Sequence, residues 1–267
     1  MGTETIIDEI IQAAPLFLLI AARALALIET APLLSSDSIS QIAKIALSGF
    51  AAYSAFPSAL ESGWEVSAFT LNFVLLLVGE GLIGIIMGFF ITIVFAAFST
   101  AGQFFSLQMG FGASETFDPL AQVENPLLGQ FLNLIAMLVF LSLDGFQLLF
   151  IGGFWRSLQS LSVFQLIAGR EIFVNMLLSG LSRLFLDAII ISMPILGTLF
   201  LVSLSTGLIS KTAPQINILS EGFPISIMVA FILIIIAMPF MTEAFSRVIS
   251  AGFRSIETIF QQIGVQP

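Results

Sequence analysis

The side chains in this sequence that are equipped for chemistry are few, and most sit alone in apolar runs. The 267 residues include no cysteine and no histidine. A Ser-His-Asp triad and a Cys nucleophile with a His base are therefore excluded. Zinc, haem and thiolate iron–sulfur sites lose their usual ligands. Carboxylates and basic groups remain. Glu80 lies inside GEGLIGIIMG, residues 79–88. A carboxylate within a membrane is expensive, and its default reading is functional. Glu80 could pair with Arg23, accept hydrogen bonds from a partner chain, or lie on an ion path. Arg183 and Asp187 stand four apart and can neutralise each other on one helix. Aspartyl hydrolysis needs two convergent Asp, and no motif supports Asp144 and Asp187 in that role. No GxxxxGK[ST] nucleotide loop is present. These features point away from an enzyme and imply no cofactor and no metal.

The longest polar interruption is residues 109–130, MGFGASETFDPLAQVENPLLGQ. It carries Glu115, Asp118 and Glu124 without a Lys or Arg, and Gly110, Gly112, Pro119 and Pro126 punctuate it. A loop of this length between apolar helices is usually functional rather than a plain connector. Met109, Phe111 and Phe117 are apolar side chains on a glycine-bearing segment, able to close a narrow pore by packing and dewetting. The alternative is an exposed loop with a few tucked anchors.

Composition sets the class. The chain is 58% hydrophobic and 9% charged, against roughly 25% charged in soluble domains, so it is an integral membrane or membrane-assembled protein. Its net charge of −9 is too scattered to form a patch, and nucleic-acid binding is not expected. There are 28 Phe but one Tyr and two Trp, so the aromatic belt of bilayer interfaces is nearly missing. Either many helices face protein, or the lipid-facing surface is biased to Phe. The acidic start, MGTETIIDEIIQ, is unlike a basic signal peptide, so the first apolar segment is expected to be retained.

Six hydrophobic segments must position these residues. The first covers about 13–34, with Pro15 in its first turn, Pro32 at its exit and Arg23 and Glu29 inside. The second, 39–60, is rich in small residues and suits packing on other helices. The third, 69–108, would extend about 60 Å as helix, twice the hydrocarbon core of ~30 Å. It should break near 99–102 or project beyond the bilayer. Gly84 and Gly88 form a GxxxG pair on it, which permits close approach of another helix. The fourth covers 127–155, and residues 157–170 form an amphipathic link. The fifth, 172–210, should kink at Pro194. A polar turn, 211–223, precedes the sixth, 224–262, which Pro239 interrupts. Segments five and six suit one long hairpin, with segments one to four as a separate part.

The run AGQFFSLQMGFGASETFDP, then NPLLGQF, then a helix ending LSLDGFQLL, resembles the FliR/SctT family of type III secretion export-gate subunits. The early Arg23 with a following proline, the GE..G...G of the third segment, and Pro214-Gln215-Ile216-Asn217 followed by Gly222-Phe223-Pro224 agree with it. The resemblance covers nearly the whole chain, and the flagellar branch is the more similar. It implies an all-α subunit of a helical pore assembly, in the bacterial inner membrane at the flagellar basal body. Residues 1–156 would be a P-subunit-like part and 157–267 a Q-subunit-like hairpin. P-type and Q-type subunits, and a neighbouring B-type switch subunit, are the implied partners. Unfolded export substrates would pass through the channel. The resemblance maps a plug onto about 109–122, including Met109, Gly110, Phe111, Gly112, Phe117, Asp118 and Pro119. It maps an entrance turn onto Pro214, Gln215 and Asn217. The family's complex stands largely clear of the bilayer plane, which would account for helices that overshoot it. A competing reading is a secondary transporter or ion channel for small solutes, with Pro194 and Pro239 marking broken helices and Glu80 a coupling-ion site.

Overall fold

The structure is a computed structural model that describes residues 2–61, 70–110, 127–212 and 218–264. Among the described residues every regular element is helical, as the all-α reading requires.

Helix α1, Gly2–Thr30, starts well before the expected residue 13. Ile6, Ile7, Ile10 and Ile11 continue the apolar face upstream at helical spacing, so Pro15 falls inside the helix and not in its first turn. Leu16, Leu19, Ile20, Arg23, Ala24, Leu27 and Ile28 are its buried stripe, at the three- and four-residue intervals of a packed helix face. The helix ends two residues before Pro32, because the residue ahead of a proline avoids helical backbone. Helix α2 is Gln41–Glu61.

Helix α3, Leu71–Met109, is unbroken over 39 residues, so of the two alternatives the break near 99–102 does not occur and the overlong helix remains. The small residues there serve close packing instead. A Cβ on Gly102 would stand 2.5 Å from the Gly129 Cα, and one on Gly129 would stand 2.9 Å from the Ser99 carbonyl oxygen. Two backbones are in contact at that point.

The fourth segment is not continuous. Helix α4, Leu127–Ser142, stops, and Asp144 adopts left-handed backbone, φ 54° and ψ 39°. Asp tolerates that region better than most residues. The chain resumes as α5, Gly145–Gln147, a π-helix, Leu148–Trp155, and α6, Arg156–Ser160. Helix α7, Val163–Ala168, opens on a capping box. The Gln165 amide N–H donates to Ser162 Oγ at 3.3 Å, and the Ser162 N–H donates to Gln165 Oε1 at 2.8 Å.

Helices α8, Arg170–Thr212, and α9, Ile218–Gly264, have 43 and 47 residues. Neither Pro194 nor Pro239 ends its helix. Each removes one backbone donor from a ladder long enough to survive the loss. The turn expected over 211–223 is shorter than that, since α8 runs to Thr212 and α9 begins at Ile218. Four helical stretches among the described residues are long and apolar enough to cross a membrane: Ala13–Thr30, Leu71–Met109, Arg170–Thr212 and Pro224–Gln262. Helix α2 is not one of them, which fits a helix that packs on others.

The chain forms two compact units, one of Met1–Ile93, Asp144–Ser179 and Ser250–Pro267, the other of Val94–Leu143 and Gly180–Ile249. The first has a core of Leu19, Ile20, Leu27, Ile83, Met87 and Phe154. The second is centred on phenylalanine. Phe98 meets Phe245 with ring centroids 4.5 Å apart, and Phe95 meets Phe140 at 5.6 Å, within the range where ring pairs add to burial. Gly102→Val should drive a branched side chain into the Gly129 backbone and destabilise the second unit by about 1–3 kcal/mol or more. Thermal unfolding of the purified protein checks this, and an unchanged midpoint would show that the two backbones do not need their close approach.

Candidate functional site

The first unit is built round a buried arginine. Arg23 is 0% exposed and Glu80 1%. Arg23 Nε donates to Glu80 Oε2 at 2.5 Å, Nη1 donates to Ser157 Oγ at 3.1 Å, and Nη2 donates to the Leu161 carbonyl oxygen at 2.9 Å. Ser157 Oγ donates in turn to the Phe154 carbonyl at 2.7 Å. All three guanidinium nitrogens are thus engaged, each by a different residue. Helix α1 supplies the cation, α3 the counter-ion, and α6 with its C-terminal cap the two remaining acceptors. Removing an ion from water costs several kcal/mol even after relaxation, and this geometry offsets that cost with a charge-assisted contact and fixed dipoles. The Leu161 carbonyl lies at a helix C-terminus, where partial negative charge accumulates.

The glycines of the third segment bring α3 to the arginine's own helix. A Cβ on Gly84 would collide with the Arg23 carbonyl oxygen and stand 2.9 Å from Ala26 Cβ. One on Gly88 would stand 2.9 Å from Thr30 Cβ. Four residues further on, the Thr92 hydroxyl donates to the Thr30 carbonyl at 2.8 Å. Gly79 lies against Val163, which seats the start of α7 beside Glu80. The spacing from Gly79 to Thr92 therefore holds two neighbouring elements on one helix.

A second ion pair joins α1 to α2. Lys44 is 3% exposed, and its Nζ donates to Glu29 Oε2 at 3.0 Å and to the Ser35 carbonyl at 3.3 Å. Arg156 pairs with Glu257, both half-exposed. Among the described residues no group of three or more Asp or Glu is placed to hold a metal ion. The centre can fix backbone and charge; every element of it is a holding contact.

Of the residues singled out in the sequence, Arg23, Glu80, Gly84 and Gly88 come together here. Arg183 and Asp187 make an ion pair of 3.8 Å on α8, in the second unit. Met109 is fully buried at the end of α3, and Gly110 follows in left-handed backbone with φ 88°. Phe111, Gly112, Phe117, Asp118 and Pro119 lie outside the described residues, as do Pro214, Gln215 and Asn217. Nothing in the sequence marks Ser157 or the Leu161 carbonyl, because one serine among several in a link does not stand out. Lys44 had a weak sign, as a single base within a small-residue helix.

These features define an all-α membrane protein held by a buried ion pair, with overlong apolar helices. The family described as bacterial export proteins, family 1, matches residues 14–252. The flagellar biosynthetic protein FliR of Bacillus subtilis is 31% identical over 265 residues, 97% of this chain and 99% of the relative. That of Escherichia coli K12 is 30% identical over 241 residues, 90% and 91% of the two chains. That of Borreliella burgdorferi is 33% identical over 192 residues, 72% and 71%. This chain belongs to that family of bacterial export proteins, in its flagellar branch. It is a subunit of the flagellar type III export apparatus in the bacterial inner membrane, and other components of that apparatus are its partners.

Losing one partner of the buried pair strands the other. Arg23→Met and Glu80→Ala should each destabilise the first unit by roughly 3–5 kcal/mol. Ser157→Ala should cost less, about 1–3 kcal/mol, since it removes one hydrogen bond to a charge. Thermal unfolding of the three variants checks the ranking, and a serine loss equal to the arginine loss would contradict it.

Proposed function

We propose that this chain is one wall segment of the export channel and carries the segment that closes it. The observation that supports this most is helix length. At ~1.5 Å per residue, α3, α8 and α9 extend about 58, 65 and 70 Å, roughly twice the ~30 Å hydrocarbon core. Tilt does not absorb such an excess. Yet apolar side chains occur along nearly all of that length, and Val174 and Leu181 near the start of α8 are 53% and 46% exposed. An apolar surface that neither the chain nor the bilayer covers calls for other protein chains. P-type and Q-type subunits in a helical assembly would provide them, with a B-type switch subunit at the turn that includes Pro214, Gln215 and Asn217. On this reading residues 1–156 act as the P-like part and 157–267 as the Q-like part.

The closing segment follows α3. Met109 anchors the helix end in the core, and Gly110 turns the chain with a backbone that only glycine adopts freely. Phe111 and Phe117 on the segment beyond would seal the conduit at rest and yield to an unfolded substrate. The chain is not an enzyme on this reading; energy for export comes from elsewhere. Deleting residues 110–117 should increase ion leakage through the assembled complex in planar bilayers or in cells. An unchanged conductance, with the complex still assembled, would remove the closing role.

A further inference from the structure

The chain after Asp144 keeps one face buried by an unusual device. Gly145, Leu149, Gly153 and Ser157 are all buried, and each follows the last by four residues. On an α-helix of about 3.6 residues per turn, each four-residue step drifts by about 40°, so the last of them would face roughly 120° away from the first. The stripe stays together because Leu148–Trp155 is a π-helix, the only one among the described residues. Its turns close on a carbonyl five residues back and so hold more residues than α-turns. The Arg156 N–H, for example, donates to the Ile151 carbonyl. Four-residue steps there drift the other way and offset the drift of the α-helical turns. The π-helix thereby sets the phase at which Ser157 Oγ and the Leu161 carbonyl meet Arg23, at 3.1 Å from Nη1 and 2.9 Å from Nη2.

The same eight residues have room to change. Adjacent glycines weaken a helix, and packing does not require either Gly152 or Gly153. A Cβ on Gly152 would meet nothing within 4 Å, and one on Gly153 would make an ordinary contact, 3.5 Å from Met87 Cε. At Gly84, by contrast, the backbone of α1 excludes a side chain. An apolar groove of about 330 Å³ lies beside the π-helix, lined by its Phe150, Ile151, Phe154 and Trp155 and by Phe50 and Ala51 of α2. Side chains of this stretch can turn into that space without displacing a filled core. A π-helix that converts to α-helix gives up one residue from its turns, and everything after it rotates by about 100°.

We infer that Leu148–Trp155 is a two-state register element that the assembled export complex uses during secretion. In the π form it holds Ser157 and Leu161 on Arg23. In the α form the chain after Trp155 turns, Arg23 keeps only Glu80 among its present partners, and the moving side chains refill the groove beside α2. None of this depends on a closing role for residues 109–122. Deleting Gly152 removes the surplus residue, so an all-α chain brings Ser157 to Arg23 without a π-turn and the second state is lost. A trifluoromethylphenylalanine replacing Trp155 reports on the groove wall by fluorine NMR of the purified export complex. The parent complex should show two resonances. Ser157→Ala, which removes an anchor of the π form alone, should enlarge the minor one severalfold, and the Gly152 deletion should leave one. The deletion complex should also assemble, keep its thermal midpoint and secrete an export substrate severalfold more slowly than the parent. A single resonance in both the parent and the Ser157→Ala complex would overturn the inference, because the serine would then be a structural contact only. Normal secretion by the assembled deletion complex would overturn it too. So would failure of that complex to assemble, which would show that the α form is not accessible to this chain.

Discussion

A guanidinium with no water around it must find its counter-charge and its hydrogen-bond acceptors inside the protein, and Arg23 finds all of them in one unit. The requirement is severe because several kcal/mol are at stake for each uncompensated ion. It fixes three things together. Helix α1 must present Arg23 inward, α3 must bring Glu80 to the same depth, and the chain after the π-helix must end a helical turn so that the Leu161 carbonyl is free to accept. An apolar substitute could fill the volume but would not select one register among these elements. In this protein the pair is best understood as a register device.

Close backbone approach is what makes the register attainable. Glu80 is a short reach from Arg23 only because Gly84 and Gly88 let α3 lie against α1, with Thr92 bonded to the Thr30 carbonyl beyond them. The same helix then contributes Phe95, Phe98 and Gly102 to the second unit. Glycine here acts by its missing side chain, since these positions have helical backbone. At Gly110 the use is different: left-handed backbone turns the chain away from the buried Met109. On the proposed closing role, the buried Met109 would anchor the segment that follows it.

Much of this was legible beforehand for simple reasons. The absence of Cys and His, the scarcity of charge and the apolar periodicity all constrain class directly, and Arg23 and Glu80 stood out because charge in an apolar run is rarely idle. The errors have physical causes. Ser99 and Gly102 suggested a break because small residues weaken a helix locally, but contact with Gly129 repays the weakness. Residues 127–155 looked like one span, since hydropathy does not detect a left-handed residue such as Asp144. Pro15 suits a first helical turn, but the helix already begins at Gly2. Ser157 was invisible because its importance comes from a partner 134 positions away in sequence.

The central claim is that Arg23 and Glu80 act as a unit, and a double-mutant cycle tests it most directly. Arg23→Met, Glu80→Leu and the double variant are unfolded thermally alongside the parent protein. Pairwise coupling in a shared network commonly reaches about 0.5–3 kcal/mol, and a double variant that loses less than the sum of the two single losses by at least that much is the predicted result. Additive losses in the double variant would mean that the two side chains are buried independently, and the account of the first unit would fail.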